Sequence, residues 1–240
     1  MKYIVANLKS NNDLNTMLKY NDELHHFPNL PINLIVCPSY PFLSISTPGN
    51  YYLGAQNISR YEAGSYTGEV NGQQLKSLGV SYVIIGHSER RKLFLENEET
   101  IVQKMNNAFS NDIKVILCVG EDILDYQTQN TSKILEQQIA TVLNEFNRDQ
   151  IKNVIIAYEP IWSIGTGITP SIDNLKSNIE FIKKIINNYY ELELPVIYGG
   201  SINQNNINYI KSISCLDGFI IGESAINIQE FKYLLDTYLS

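Results

Sequence analysis

The chain has 240 residues, with 18 Lys plus Arg against 25 Asp plus Glu, a net charge of −7 and three cysteines. No Lys/Arg run supplies the basic stripe of a nucleic-acid binder, three cysteines are too few for a disulfide framework, and no stretch approaches the ~20 apolar residues of a membrane span. The length fits one large domain or two small ones, and without a signal-peptide pattern the expected setting is a reducing cytoplasm. Composition alone permits a carrier or scaffold as readily as an enzyme.

The first strand-like run is 3–6, closed by Asn7, Leu8 and Lys9. Taken alone, Lys9 reads as an ordinary surface lysine. His25 and His26 read as a solvated helix end. Further apolar runs follow at 34–37, 51–55 and 82–85, with only 73–78 helical between the last two. The run 82–85 leads into Gly86, His87, Ser88 and Glu89, with Ser88 and Glu89 opening a helix. A histidine there faces the positive end of the helix dipole, which suits a neutral hydrogen-bond donor better than a cation. The run 115–119 contains Cys118, which reads as a small buried hydrophobe, and ends at Gly120 and Glu121. Within 128–147, residues Ile134, Leu135, Ile139, Val142, Leu143 and Phe146 recur at helical spacing.

The run 154–157 leads to Glu159 and Pro160. A carboxylate at such a strand end, closed off from water, can serve as a general base. Pro160 and Trp162 stiffen the start of 163–167, whose glycines give it the look of a lid. Residues 171–190 repeat the helical pattern through Leu175, Ile179, Ile182, Ile185 and Ile186. The last strand-like runs, 195–198 and 219–221, end in Gly199-Gly200-Ser201 and Gly222-Glu223-Ser224.

The strand-like runs are apolar on both faces, the pattern of parallel strands covered on both sides. About eight strand–helix pairs suffice to close a single-domain (β/α)8 barrel over residues 1–240. An open doubly wound sheet is the runner-up, weakened because no GxGxxG turn follows the first strand. In a parallel barrel all strand C-termini point to one face. Lys9, His87, Glu159 and three backbone-rich turns (165–167, 199–201 and 222–223) would therefore converge. Exposed amides in such turns suit a phosphate. A cation, a neutral histidine, a carboxylate and a phosphate cradle together point to proton transfer on a small phosphorylated carbonyl compound. No CxxC or His/Cys cluster suggests a metal.

At these residues the chain resembles the triosephosphate isomerase family, essentially from end to end. The motifs are Ala157-Tyr158-Glu159-Pro160-Ile161-Trp162-Ser163-Ile164-Gly165-Thr166-Gly167, Gly86-His87-Ser88-Glu89-Arg90-Arg91 and Tyr198-Gly199-Gly200-Ser201. Supporting them are Gly54-Ala55-Gln56-Asn57, Gly64-Ser65-Tyr66-Thr67-Gly68-Glu69 and Cys118-Val119-Gly120-Glu121. The resemblance implies interconversion of dihydroxyacetone phosphate and glyceraldehyde 3-phosphate, a step of glycolysis and gluconeogenesis, without cofactor or metal. It makes Glu159 the base and His87 the electrophile and proton shuttle, roles that belong to the family itself. Lys9 offsets negative charge, Asn7 orients the oxygens and Glu89 holds Lys9. Backbone amides of Gly165, Ser201, Gly222 and Glu223 bind phosphate, while Ile164 and Ile220 exclude water above Glu159. The resemblance also implies a homodimer, in which loop 64–69 brings Thr67 near the partner's Asn7 and His87.

Four positions depart from the family's usual pattern. Leu8 and Ser10 flank the catalytic Asn7 and Lys9. Glu223 stands where glycine is usual, and its side chain is expected to point away from the phosphate. Pro170 stands where a backbone amide usually meets the Tyr198 hydroxyl, and proline has no N–H. More of the closure of 163–167 is then expected to rest on Ser201 bonding the Gly167 amide. Another phosphate-binding barrel enzyme, of sugar or tryptophan metabolism, is argued against by the long 157–167 motif. A non-enzymatic role is argued against by the presence of Asn7, Lys9, His87 and Glu159.

Overall fold

A computed structural model of the chain describes residues 2–46, 49–164 and 170–240. The chain runs β1 (Tyr3–Asn7), α1 (Leu14–His25), β2 (Asn33–Cys37), β3 (Tyr52–Ala55), α2 (Gly72–Ser77) and β4 (Tyr82–Ile85). It continues α3 (Ser88–Leu93), α4 (Glu98–Phe109), β5 (Lys114–Val119), α5 (Ile123–Gln127), α6 (Thr131–Leu143), α7 (Arg148–Ile151) and β6 (Val154–Tyr158). The last part is α8 (Ile172–Tyr190), β7 (Val196–Tyr198), α9 (Ile207–Ile210), β8 (Gly218–Ile221), α10 (Glu223–Ile226) and α11 (Ile228–Leu239). Every strand pairs in parallel with the next. β8 returns to β1, with Tyr3 opposite Gly218, and closes the barrel. Closure removes the open doubly wound alternative.

Alternation along each strand builds two concentric cores. Val5, Ile35, Ile84, Ile116, Ala157 and Ile197 fill the barrel interior. Their neighbours Ile4, Ala6, Val36, Val83, Leu117 and Ile156 face the helices. The helices answer with one apolar stripe each: Leu135, Ile139 and Val142 on α6, and Leu175, Ile179 and Ile182 on α8. Cys118 lies buried in the interior, as its apolar setting suggested, and burial raises its thiol pKa. No described helix is long and apolar enough to cross a membrane.

Short polar side chains set the helix starts. Asp13, Asn71, Asn97, Asn147, Ser171 and Asn227 each accept a backbone N–H from the first turn of α1, α2, α4, α7, α8 and α11, worth about 1 kcal/mol apiece. The helix expected over 128–147 is shorter in the structure, where it is α6. Gln129 takes φ +57°, so α5 stops before it and α6 starts at Thr131. Asn147 caps α7, and α6 ends early at Leu143. Phe146 still packs, edge-on against Phe109 at 5.1 Å. β7 starts at Val196 because Pro195 has no N–H for the ladder, although its carbonyl accepts from Ile156. α1 ends at the exposed His25 and His26, as read.

Candidate active site

At the C-terminal mouth of the barrel, Asn7, Lys9, His87, Glu159, Ile164 and Ile220 line one cavity of about 430 Å³ together with Gly199, Gly200, Ser201, Gly222 and Glu223. A larger hollow of about 710 Å³ opens beside Lys114 and Asn153, at the opposite strand ends. It holds no histidine and no glycine-rich turn.

Lys9 follows β1 in the left-handed region at φ +49°, which costs an L residue about 1–2 kcal/mol. Its backbone is clamped. The Lys9 carbonyl accepts from Ser39 Oγ at 2.7 Å and Gln56 Nε2 at 2.8 Å, and its N–H donates to Asn7 Oδ1 at 3.2 Å. Gln56 also donates to the Cys37 carbonyl at 2.9 Å. The ammonium group donates to Glu89 Oε1 at 2.6 Å. A side chain at Gly222 would press on Lys9, since a Cβ there would lie 3.0 Å from its Cε.

The free amides at the start of α3 serve two site residues at once. The Ser88 N–H donates to Glu159 Oε2 at 3.0 Å, and the Glu89 N–H donates to His87 Nδ1 at 3.2 Å. With Nδ1 accepting, the proton of a neutral imidazole sits on Nε2. That nitrogen lies 3.3 Å from Glu159 Oε1. Both side chains are buried, Glu159 at 2 % exposure and His87 at 7 %. Gly199 leaves room for Glu159, because a Cβ there would meet Glu159 Cγ and Ile220 Cγ2 at 2.8 Å.

Glu121 is fully buried. Its Oε1 accepts from Trp162 Nε1 at 2.8 Å and from the Tyr158 hydroxyl at 3.1 Å, and Asn178 donates to that same hydroxyl at 2.8 Å. Burial raises the Glu121 carboxyl pKa, while the Trp162 and Tyr158 donors pull it down. After β7, the Ser201 hydroxyl donates to the Ser163 carbonyl at 2.8 Å, and Asn206 Nδ2 donates to the Ser201 carbonyl at 2.8 Å. Gly222 is the cap residue of α10 and Glu223 its first residue. Glu223 is exposed at the rim, and its carboxylate makes no ion pair among the described residues.

Sequence reading missed Ser39, Gln56 as a clamp, and Asn206. Gln56 lay in a quoted motif, but nothing local tied it to Lys9, 47 residues away. Gly165 and Gly167 lie outside the described residues. Thr67 sits on the exposed loop 64–69. It does not line the cavity.

The family model described as triosephosphate isomerase matches residues 2–238. A triosephosphate isomerase of Finegoldia magna is 38 % identical over 85 % of this chain and 86 % of its own length. Those of Buchnera aphidicola and Colwellia psychrerythraea are 35 % and 34 % identical, covering 98 % and 96 % of this chain and 98 % and 95 % of theirs.

Proposed function

The chain belongs to the triosephosphate isomerase family, whose enzymes interconvert dihydroxyacetone phosphate and glyceraldehyde 3-phosphate, and from that premise we infer how its own residues divide the work. Glu159 removes the proton from the substrate carbon and returns it to the neighbouring carbon. His87, through Nε2–H, polarises the carbonyl and moves protons between the enediolate oxygens. Lys9 offsets the charge of the phosphate and enediolate, with Asn7 beside it and Glu89 fixing its ammonium. The amides of Gly165, Ser201, Gly222 and Glu223 hold the phosphate. Ile164 and Ile220 keep water from Glu159.

The observation that carries this reading is the shared use of the start of α3. Its amides hold the carboxylate and the imidazole 3.3 Å apart in a buried corner. The test is turnover of glyceraldehyde 3-phosphate, coupled to reduction of the ketose product. Glu159→Asp retracts the carboxylate by one methylene, and a misplacement near 1 Å is worth about 10²-fold. We expect a loss of that order with an unchanged fold. Full activity in the variant would remove Glu159 from its role.

The dimer belongs to the same proposal. Loop 64–69 is exposed throughout, with Tyr66 stacked on Tyr61 at 4.1 Å. A groove of about 320 Å³ beside Lys9 and His87 is lined by Tyr40, Gln56 and Phe94. Leu93, Phe94 and Leu95 are 68, 63 and 83 % exposed next to it. A second copy inserting its loop there would cover this apolar surface and bring Thr67 toward the partner's Asn7 and His87. A cytoplasmic setting completes the proposal.

A further inference from the structure

Two buried hydroxyls behind the phosphate side have no part in the roles above. Ser163 Oγ and the Tyr198 hydroxyl are both sealed from water, and neither meets a described residue in hydrogen-bonding geometry, although the two approach each other. Buried polar groups are normally paired, so two adjacent exceptions need a reason. They crowd one point: a Cβ on Gly200 would lie 2.0 Å from the Tyr198 oxygen and 2.8 Å from Ser163 Oγ. Burial pushes the Tyr198 phenol up to about 12, and Ser163 is close enough to offset part of that rise. Tyr198 therefore stays a neutral donor. Pro170 has no N–H to offer it.

The two hydroxyls stand on different parts of the site. Ser163 closes the turn Ile161–Ser163 that follows Glu159. Tyr198 ends β7 and leads into Gly199, Gly200 and Ser201. These parts already touch once, through the Ser201 hydroxyl on the Ser163 carbonyl. Taking Gly199–Ser201 as part of the phosphate site, as proposed above, we propose that Ser163 is a positioning residue whose hydroxyl bonds Tyr198 when a phosphate dianion occupies that turn. The bond links phosphate binding to the placement of the segment that carries Glu159. An interaction absent from the empty protein and made in the loaded one strengthens ligand binding without stabilising the empty fold.

The test uses the full chain with Ser163→Ala, Tyr198→Phe and the double variant. Three quantities are read: affinity for 2-phosphoglycolate by calorimetry, kcat/KM for glyceraldehyde 3-phosphate, and Tm without ligand. One hydrogen bond corresponds to about 3- to 10-fold. Each single variant should lose affinity and kcat/KM by that factor, and the double variant should lose no more than either single one. The Tm of the empty variants should stay level or rise, because each change removes an unpaired hydroxyl. Unchanged affinity in the single variants, additive losses, or a falling Tm that accounts for the loss would each overturn the proposal. Ser163→Ala alone decides if Tyr198→Phe does not fold. A wild-type protein inert toward triose phosphates would instead refute the functional reading.

Discussion

Gln56→Ala tests whether the backbone of Lys9 is held or merely happens to rest where it does. The substitution deletes the bonds to the Lys9 and Cys37 carbonyls. Neither carbonyl is orphaned, since Ser39 still donates to Lys9 and the Leu8 N–H to Cys37. The cost is therefore two net hydrogen bonds, roughly 1–3 kcal/mol of stability. The effect on the site is separate. Lys9 at φ +49° carries about 1–2 kcal/mol of strain, and the two backbone bonds that remain, from Ser39 and to Asn7 Oδ1, together roughly 1–3 kcal/mol, leave little margin over it. Lys9 then relaxes out of position for a large fraction of the time. Losing about 1–2 kcal/mol of transition-state stabilisation corresponds to roughly 5- to 30-fold in kcat/KM. Steady-state kinetics of the coupled reaction, with a thermal melt on the same sample, measures both. A melt lowered as expected with kcat/KM within twofold of wild type would make Gln56 a scaffold residue and refute the clamp.

Gly199→Ala puts a methyl 2.8 Å from Glu159 Cγ; overpacking of about 1–3 kcal/mol should displace the base and cut kcat at least tenfold, and an unchanged kcat would mean that the base has room to move aside. Phe94→Glu places a charge on the apolar surface beside the groove; analytical ultracentrifugation should show a shift from two subunits to one with a fall in activity, and an unchanged mass would remove this surface from the dimer. Glu121 has its carboxyl pKa raised above 4.5 by burial. The folded protein therefore holds this proton more tightly than the unfolded chain, so this group's contribution falls as pH rises from about 4.5 through the raised value. Glu121→Gln should flatten the decline of Tm across that window, and an unchanged slope would contradict the assignment.

Much of the fold was legible in the chain itself. The apolar runs are short, β-branched and apolar on both faces, so they could only be strands covered on both sides. Each polar cluster after a strand then had to share one mouth. The register of the barrel closure, with Tyr3 opposite Gly218, was not legible, because periodicity assigns faces and not partners. The break between α5 and α6 was hidden for a related reason. It depends on the left-handed Gln129, which the apolar pattern does not register.

The site divides along the same line. His87, Glu159 and Lys9 could be named from the strand ends they follow and from motifs around them, because local sequence decides which side chain stands at a strand terminus. The negative net charge could also be read as a constraint: attraction for a dianion must come from one lysine and aimed amides. How those groups are held was decided only by tertiary structure. The start of α3 serves Glu159 from 71 residues away, Gln56 reaches back 47 residues to Lys9, and Ser201 reaches back 38 residues to Ser163. Such contacts join strands that are remote in sequence, and barrel closure brings them within bonding distance.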